Sequence, residues 1–303
     1  MNLHQRSLRT VITVIKLKWR YIMYSSNYIQ SKDGINLFYQ TWTPSHPKAV
    51  IIIVHGAGEH SGRYQPITAQ CVNHEIAVVA PDLRGFGQSD GARGHINTFQ
   101  EYIDDLHTLV EWVSAQFQHM PIFLFGHSLG GLIVIRYSQI YAYETNGVIL
   151  SSPALALRFE LPSFSKKILA VASSVLPNLS IRPNKWERIF RAITSLEPYL
   201  PKKKELKKDP LMTSQYTPRW LFELIQNGVD AIAEAALFQF PVLFVYDQKD
   251  PIIHPRFIQD FFHSVSIPDK HFVTFNDGFH HPLQAHYRDL ALDNVMQWIN
   301  KRL

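Results

Sequence analysis

The chain has 303 residues, 46% of them hydrophobic and 18% charged, with 30 Lys/Arg against 25 Asp/Glu for a formal charge of +5. That balance supplies a large core and excludes a disordered tail protein, a collagen-like repeat and a small disulfide scaffold. Cys71 is the only cysteine, so no intrachain disulfide or cysteine-based zinc site can form, and the longest aliphatic run, Ala49 to Val54, is far short of the roughly 20 residues that cross a bilayer.

In chain order, residues 1–24 read as a basic N-terminal extension. Residues 1–30 hold five Lys/Arg and no acid. The run Val11–Ile15 is broken by Thr13 and ended by Lys16, with no small-residue cleavage site after it, which argues against a signal peptide. A short amphipathic helix on a membrane interface or a loosely docked tail fits the pattern. From Tyr28 the sequence alternates. Tyr28–Gln30 and Ile35–Trp42 flank the turn Lys32-Asp33-Gly34 as short strands. Ala49–Val54, Ala77–Ala80, Ile122–Phe125, Val148–Leu150 and Val242–Tyr246 are apolar throughout, as strands buried on both faces of a parallel sheet are. Between them, Tyr64–His74, Phe99–Phe117, Leu129–Tyr143 and Pro255–Ser264 carry helical spacing, and Pro282–Asn300 closes the chain as a helix. The fold class expected is α/β, a mostly parallel sheet flanked by helices.

Residues 153–238 break the rhythm. They contain no sheet-like run, only helical segments (Ser163–Leu176, Lys185–Ser195, Pro218–Gln226) between Pro-containing loops. This stretch reads as a helical cap inserted between two parts of one core, 25–152 and 239–303, over the carboxyl edge of the sheet, where ligands of open α/β folds bind. Residues 153–236 hold 13 basic and 8 acidic residues, and the 189 residues outside this stretch and the first thirty sum to −5. A body of that kind with two basic segments suits an anionic surface. No helix-turn-helix, zinc-finger or RNA-binding pattern occurs, so nucleic acid is not expected as a partner.

The chemistry centres on Gly126-His127-Ser128-Leu129-Gly130-Gly131, a G-x-S-x-G string after a strand and opening a helix. In that context the serine stands on a sharp turn with its hydroxyl at the sheet edge, and the Leu129 N–H points where an oxyanion forms. A serine needs a histidine base and a carboxylate to orient it. Both loops that follow qualify: Asp247-Gln-Lys-Asp250 after Val242–Tyr246, and Gly278-Phe-His280-His281 after Phe272–Phe275. Asp250 with Asp247 as rival, and His280 with His281 as rival, are the candidates. The Ala57 N–H, in His55-Gly-Ala-Gly-Glu-His60, is the second oxyanion donor expected. No His-Glu-x-x-His or dinucleotide fingerprint is present, so no metal and no cofactor is expected. Asp82 and Arg84, near Gly85 and Gly87, read as local structural partners.

Three strings, His55-Gly-Ala-Gly-Glu-His-Ser-Gly-Arg-Tyr64, Pro81-Asp-Leu-Arg-Gly-Phe-Gly-Gln-Ser89 and Gly126–Gly131, together resemble the monoacylglycerol lipase and lysophospholipase branch of the α/β-hydrolases. The resemblance runs from about Tyr28 to the C-terminus and includes Val175–Ser180 and Asp209-Pro-Leu211 in the cap. It implies Ser128 as nucleophile, His280 as base, Asp250 as its acid, and Ala57 and Leu129 as the oxyanion hole, with Glu59, Arg63 and His127 around a glycerol headgroup. Two departures stand out: Leu206 where the family's cap has tyrosine, and Asp247 where it usually has glycine. The function expected is hydrolysis of a single-chain lipid ester, with apolar cap residues such as Phe164, Ile168, Leu169, Val171, Val175 and Leu176 lining a channel or facing lipid, on the cytoplasmic side of a membrane and peripheral to it. A small-ester hydrolase or serine aminopeptidase on the same triad and a lipid-binding protein with a decayed hydrolase fold are the alternatives.

Overall fold

The computed structural model describes residues 11–17, 20–141, 145–158, 163–179 and 209–303. A nine-stranded sheet runs through it in the order β1-β2-β3-β5-β4-β6-β7-β8-β9. The central strands β4 (Ala49–Val54), β5 (Ile76–Pro81), β6 (Ile122–His127), β7 (Gly147–Ser151) and β8 (Val242–Asp247) are buried at every position, as their unbroken apolar runs require. They pair in parallel, and β9 (Lys270–Phe275) extends the sheet in parallel beyond β8. Six carboxyl ends are thereby aligned along one edge.

The two faces of the sheet are packed by alternate side chains of the same strands. Val50, Ile52 and Val54 of β4 pack with Leu106, Leu132 and Ile133 from α2 (Gln100–Gln116) and α3 (Leu129–Ile140). Ile51 and Ile53 turn the other way, to Ile67 and Val72 of α1 (Gln65–Asn73) and Val295 and Ile299 near the C-terminus. The C-terminal helix is shorter than its periodicity suggests. A single 3-10 turn covers Pro282–Gln284, Ala285 then takes extended backbone, and the helix proper begins at Arg288.

The N-terminal segment departs most from expectation. Val11–Leu17 forms strand β1, paired antiparallel with β2 (Arg20–Gln30), which pairs in turn with β3 (Asn36–Pro44). Neither a helix nor a loose tail describes residues 11–17 and 20–24, and a boundary at 24 falls inside β2. The cause is legible afterwards: Val11, Ile12, Thr13, Val14 and Ile15 are all β-branched, which favours strand over helix. Arg20 and Tyr21 of β2 run past Pro44, the partner of Ile22, at the amino-end edge of the sheet. An ion cluster ties this region down. Arg84 forks onto Asp105 of α2 at 2.6 Å and reaches Asp33 of the β2–β3 turn at 2.7 Å. Asp82 accepts from the Ser61 and Gln88 amides, so both residues act locally as expected.

Between β7 and its neighbour β8 the chain leaves the sheet for about 90 residues. Two helices of this excursion, α4 (Ser163–Val175) and α5 (Pro218–Ala233), pack against each other. The segment expected at Lys185–Ser195, the lysines of 202–208 and Leu206 lie outside the described residues.

Candidate active site

Ser128 ends β6 and caps α3 at φ 51° and ψ −115°, a left-handed conformation that costs a non-glycine residue on the order of 1–3 kcal/mol. The turn is tight because its flanks touch: a Cβ on Gly126 would collide with the Gly130 carbonyl, and one on Gly130 with the Val54 carbonyl. The Ser128 N–H donates to Ser151 O at 2.9 Å, and the Ser128 carbonyl accepts from Ala154 N at 3.0 Å, locking the elbow to the end of β7. Leu129 N–H belongs to the first turn of α3, where amides lack partners inside the helix and the dipole favours negative charge.

The loops after β8 and β9 deliver a paired carboxylate and imidazole. His280 Nδ1 lies 2.8 Å from Asp250 Oδ2, and Asp250 is fully buried. Its Oδ1 accepts from the Ile252 and Ile253 amides at 2.8 and 3.0 Å, which fixes the carboxylate. The two rival residues land elsewhere. Asp247 Oδ2 accepts from the amides of Asp277, Gly278 and Phe279 and from the Tyr287 hydroxyl, all within 3.2 Å. Burial raises the Asp247 carboxyl, but the Lys249 amide, the Tyr287 hydroxyl and the loop amides outweigh it, leaving the group below the usual range. It clamps the loop that carries His280. His281 turns to stack on His127, ring centroids 3.8 Å apart, while the His280 ring sits 4.9 Å from His127 on another side.

The loop after β4 completes the cluster. A Cβ on Gly56 would lie 3.5 Å from Ser128 Cβ, 3.0 Å from the His127 ring and 3.2 Å from Glu59. The Gly56–Ala57 stretch thus passes beside Ser128. Tyr64 pins this loop: its hydroxyl accepts from Gly56 N–H at 3.0 Å and donates to Glu59 Oε2 at 2.7 Å. Arg63 Nε donates to Glu59 Oε1 at 3.2 Å. Burial raises the Glu59 carboxyl, and His127, Tyr64 and Arg63 together bring it below its ordinary value. Burial, helped by the neighbouring imidazoles, pushes His127 well below the usual histidine range and His281 down to about 3.

Every residue expected at the site falls in this one region, along the carboxyl edge. Sequence reasoning missed three things: Tyr64 as the anchor of the oxyanion loop, Asp247 as a loop clamp, and the stacking of His281. Tyr64 closes one of the strings already singled out. The other two needed coordinates, since side-chain direction within a loop leaves no periodic trace. The excursion between β7 and β8 meets this edge too. Asp209 takes His60 Nε2 at 2.9 Å and Thr213 N donates to Gly58 O at 3.0 Å.

A model of the Hydrolase_4 family, described as serine aminopeptidase, S33, matches residues 45–285. The chain is 28% identical over 275 residues to the monoacylglycerol lipase of Mycolicibacterium smegmatis, across 89% of this chain and 95% of that protein. It is 30% identical over 249 residues to phospholipase YtpA of Bacillus subtilis, across 79% and 90% respectively. The crystal structure of the Paleococcus ferrophilus monoacylglycerol lipase resembles it with a TM-score of 0.76 and 28% identity, across 88% of this chain and 99% of that one.

Proposed function

The chain belongs to the Hydrolase_4 family, serine aminopeptidase, S33, and from that premise we propose that it cleaves the carboxylic ester of a single-chain lipid, a monoacylglycerol or a lysophospholipid, with Ser128, His280 and Asp250 as its triad. It is an ester hydrolase of the α/β-hydrolase fold. The observation that carries the assignment is the 2.8 Å pair of the half-buried His280 and the fully buried Asp250 on loops sharing an edge with the strained Ser128 turn.

In this reading His280 takes the proton of the Ser128 hydroxyl as that oxygen attacks the ester carbonyl. Asp250 holds the imidazole with Nδ1 protonated and stabilises the imidazolium that forms. The Ala57 and Leu129 amides receive the developing oxyanion. His280 then protonates the leaving alcohol, and water, activated by the same ring, releases the fatty acid. Glu59, Arg63 and His127 surround the headgroup. An aminopeptidase needs an acidic group for the substrate amine, and the charge of Glu59 is already balanced by Arg63, which favours the ester.

Residues 153–238 act in this proposal as a cap, and α4 as its lipid-facing side. Ile168, Val171 and Val175 are all exposed on one face of that helix, Val175 at 69%, while Ser173 is buried on the other. Each such side chain moved from water into lipid is worth about 1.5–3 kcal/mol. A peripheral membrane contact beside the site follows. Among the described residues no helix is long and apolar enough to cross a membrane.

The test is fatty-acid release from a monoacylglycerol and from a lysophosphatidylcholine of equal chain length, with Ser128→Ala protein as the blank. Release well above the blank from either supports the reading. Release equal to the blank from both overturns it.

A further inference from the structure

Three side chains, one from the end of β6 and two from the loops after β4 and β9, converge beside the proposed triad. One carboxylate oxygen of Glu59 and one ring nitrogen each of His127 and His281 lie within 4.8 Å of one another. The residues are 68 and 154 positions apart, so no contiguous metal motif could have announced them. Two imidazole nitrogens and a carboxylate oxygen are the donors that zinc and its neighbours in the first transition row select.

We propose that Glu59, His127 and His281 form a site for a divalent transition-metal ion of the zinc type, and that an ion held there blocks access of the ester headgroup to Ser128. The second clause rests on the function proposed above; the first does not.

The surroundings of each donor match those of metal ligands. His127 Nδ1 donates to Ser151 O at 3.1 Å, which leaves the lone pair on Nε2. Such an N–H to a backbone carbonyl is the usual outer-shell support of a ligating histidine. The Glu59 carboxylate is held by Tyr64 on one oxygen and Arg63 on the other, and each oxygen keeps a second lone pair. His281 pairs through Nε2 with the Gln284 amide group at 3.1 Å. That contact makes Nε2 the acceptor and leaves Nδ1, buried with no hydrogen-bond partner, carrying the ring proton; binding a metal through Nδ1 moves that proton to Nε2 and turns the Gln284 amide so that its oxygen accepts it.

Geometry sets what must move. Zinc bonds of about 2.0–2.1 Å in a tetrahedron put ligand atoms roughly 3.3 Å apart, so the three donors must close by side-chain rotation, and the stacked rings of His127 and His281 must turn their edges to a common point. The fourth position is left for water. The Arg63 guanidinium, 3.2 Å from Glu59 Oε1, opposes a second positive charge and weakens the site relative to a structural zinc site. Magnesium and calcium, which prefer all-oxygen shells, are discriminated against.

The experiment is a calorimetric titration of the full-length protein with zinc chloride, run in parallel with zinc inhibition of ester hydrolysis. His281→Gln should lower zinc affinity at least tenfold and raise the inhibitory zinc concentration by the same factor, and Glu59→Gln should do likewise for affinity. His271→Gln, at an exposed histidine paired with Asp269, should change neither. Cobalt(II) bound to the wild-type protein should show the absorption of a tetrahedral site, and His281→Gln should lose it. Circular dichroism checks that each variant is folded. No zinc binding by the wild-type protein, or binding unaltered in both His281→Gln and Glu59→Gln, overturns the site whether or not any ester is cleaved. Zinc binding without inhibition overturns the second clause.

Discussion

Asp250 Oδ2 meets His280 Nδ1 at 2.8 Å, whereas Asp247, three residues earlier and equally buried, spends its carboxylate on the backbone of the loop that holds His280. Two aspartates of one strand-end thus divide orientation of the base from construction of its loop. Asp250→Asn should cut kcat on the order of 10⁴-fold, the loss expected when a triad imidazole is left in the wrong tautomer, with little change in Tm. Asp247→Asn should be mild in kcat and lower stability by about 1–3 kcal/mol, since it weakens acceptors for buried donors. Steady-state kinetics and thermal melts on both proteins check this, and the reverse pattern would move the acid to Asp247.

The left-handed backbone of Ser128 predicts a separation of stability from activity. Ser128→Ala and Ser128→Gly should both abolish turnover. Only the glycine variant should relieve strain, raising stability by about 1–2 kcal/mol, a Tm gain of a few degrees. Melting curves of the three proteins read this directly; an alanine variant as stable as the glycine variant would mean that the turn stores no strain.

His55 predicts an acid-sensitive core. Its Nδ1 donates to Gly56 O at 2.7 Å and its Nε2 accepts from Leu83 N–H at 2.9 Å, an arrangement only neutral imidazole can satisfy. Burial holds its pKa below the ordinary 6.5, with Asp82 pulling part of the way back. The unfolded chain takes up this proton near 6.5 and the folded chain only lower, so the contribution is complete above 6.5 and is lost as pH falls. One proton corresponds to a slope of about 1.4 kcal/mol per pH unit. Urea unfolding between pH 7.5 and 5 should show stability declining below 6.5, and His55→Gln should remove about one proton's worth of that slope.

How far the sequence carried these conclusions depended on periodicity. Strands β4 to β8 were legible because burial on both faces leaves a continuous apolar run. The nucleophile turn was legible because steric crowding at Gly126 and Gly130 admits no other residue. β1 was not, since a short β-branched run between Arg9 and Lys16 has no partner visible in one dimension; its pairing with β2 decides it. The start of the last helix was misplaced because Pro282 opens a single turn, after which extended backbone at Ala285 interrupts the spacing. Asp247 and Asp250 both follow the same strand, and only hydrogen-bond direction separates them.

A lipid-facing α4 predicts that Val171→Asp with Val175→Asp weakens sedimentation with anionic vesicles at least severalfold while leaving hydrolysis of a short, soluble ester near wild type. Removing residues 1–24 is a poor probe of membrane contact. It deletes β1 and also Ile22 and Tyr24 of β2, which pair with Pro44 and Trp42 of β3. Such a protein should lose stability whether or not it meets a membrane. Val14→Asp, at an exposed position of β1, is the cleaner comparison; binding unchanged by the α4 pair would remove the helix from the contact.

The three triad positions proposed lie on β6, β8 and β9, and the excursion between β7 and β8 separates the first from the other two. A chain growing on the ribosome therefore makes Ser128 first, then the excursion, then Asp250, and His280 last. An esterase built in this order holds no complete triad of the proposed kind until the loop after β9 has been made.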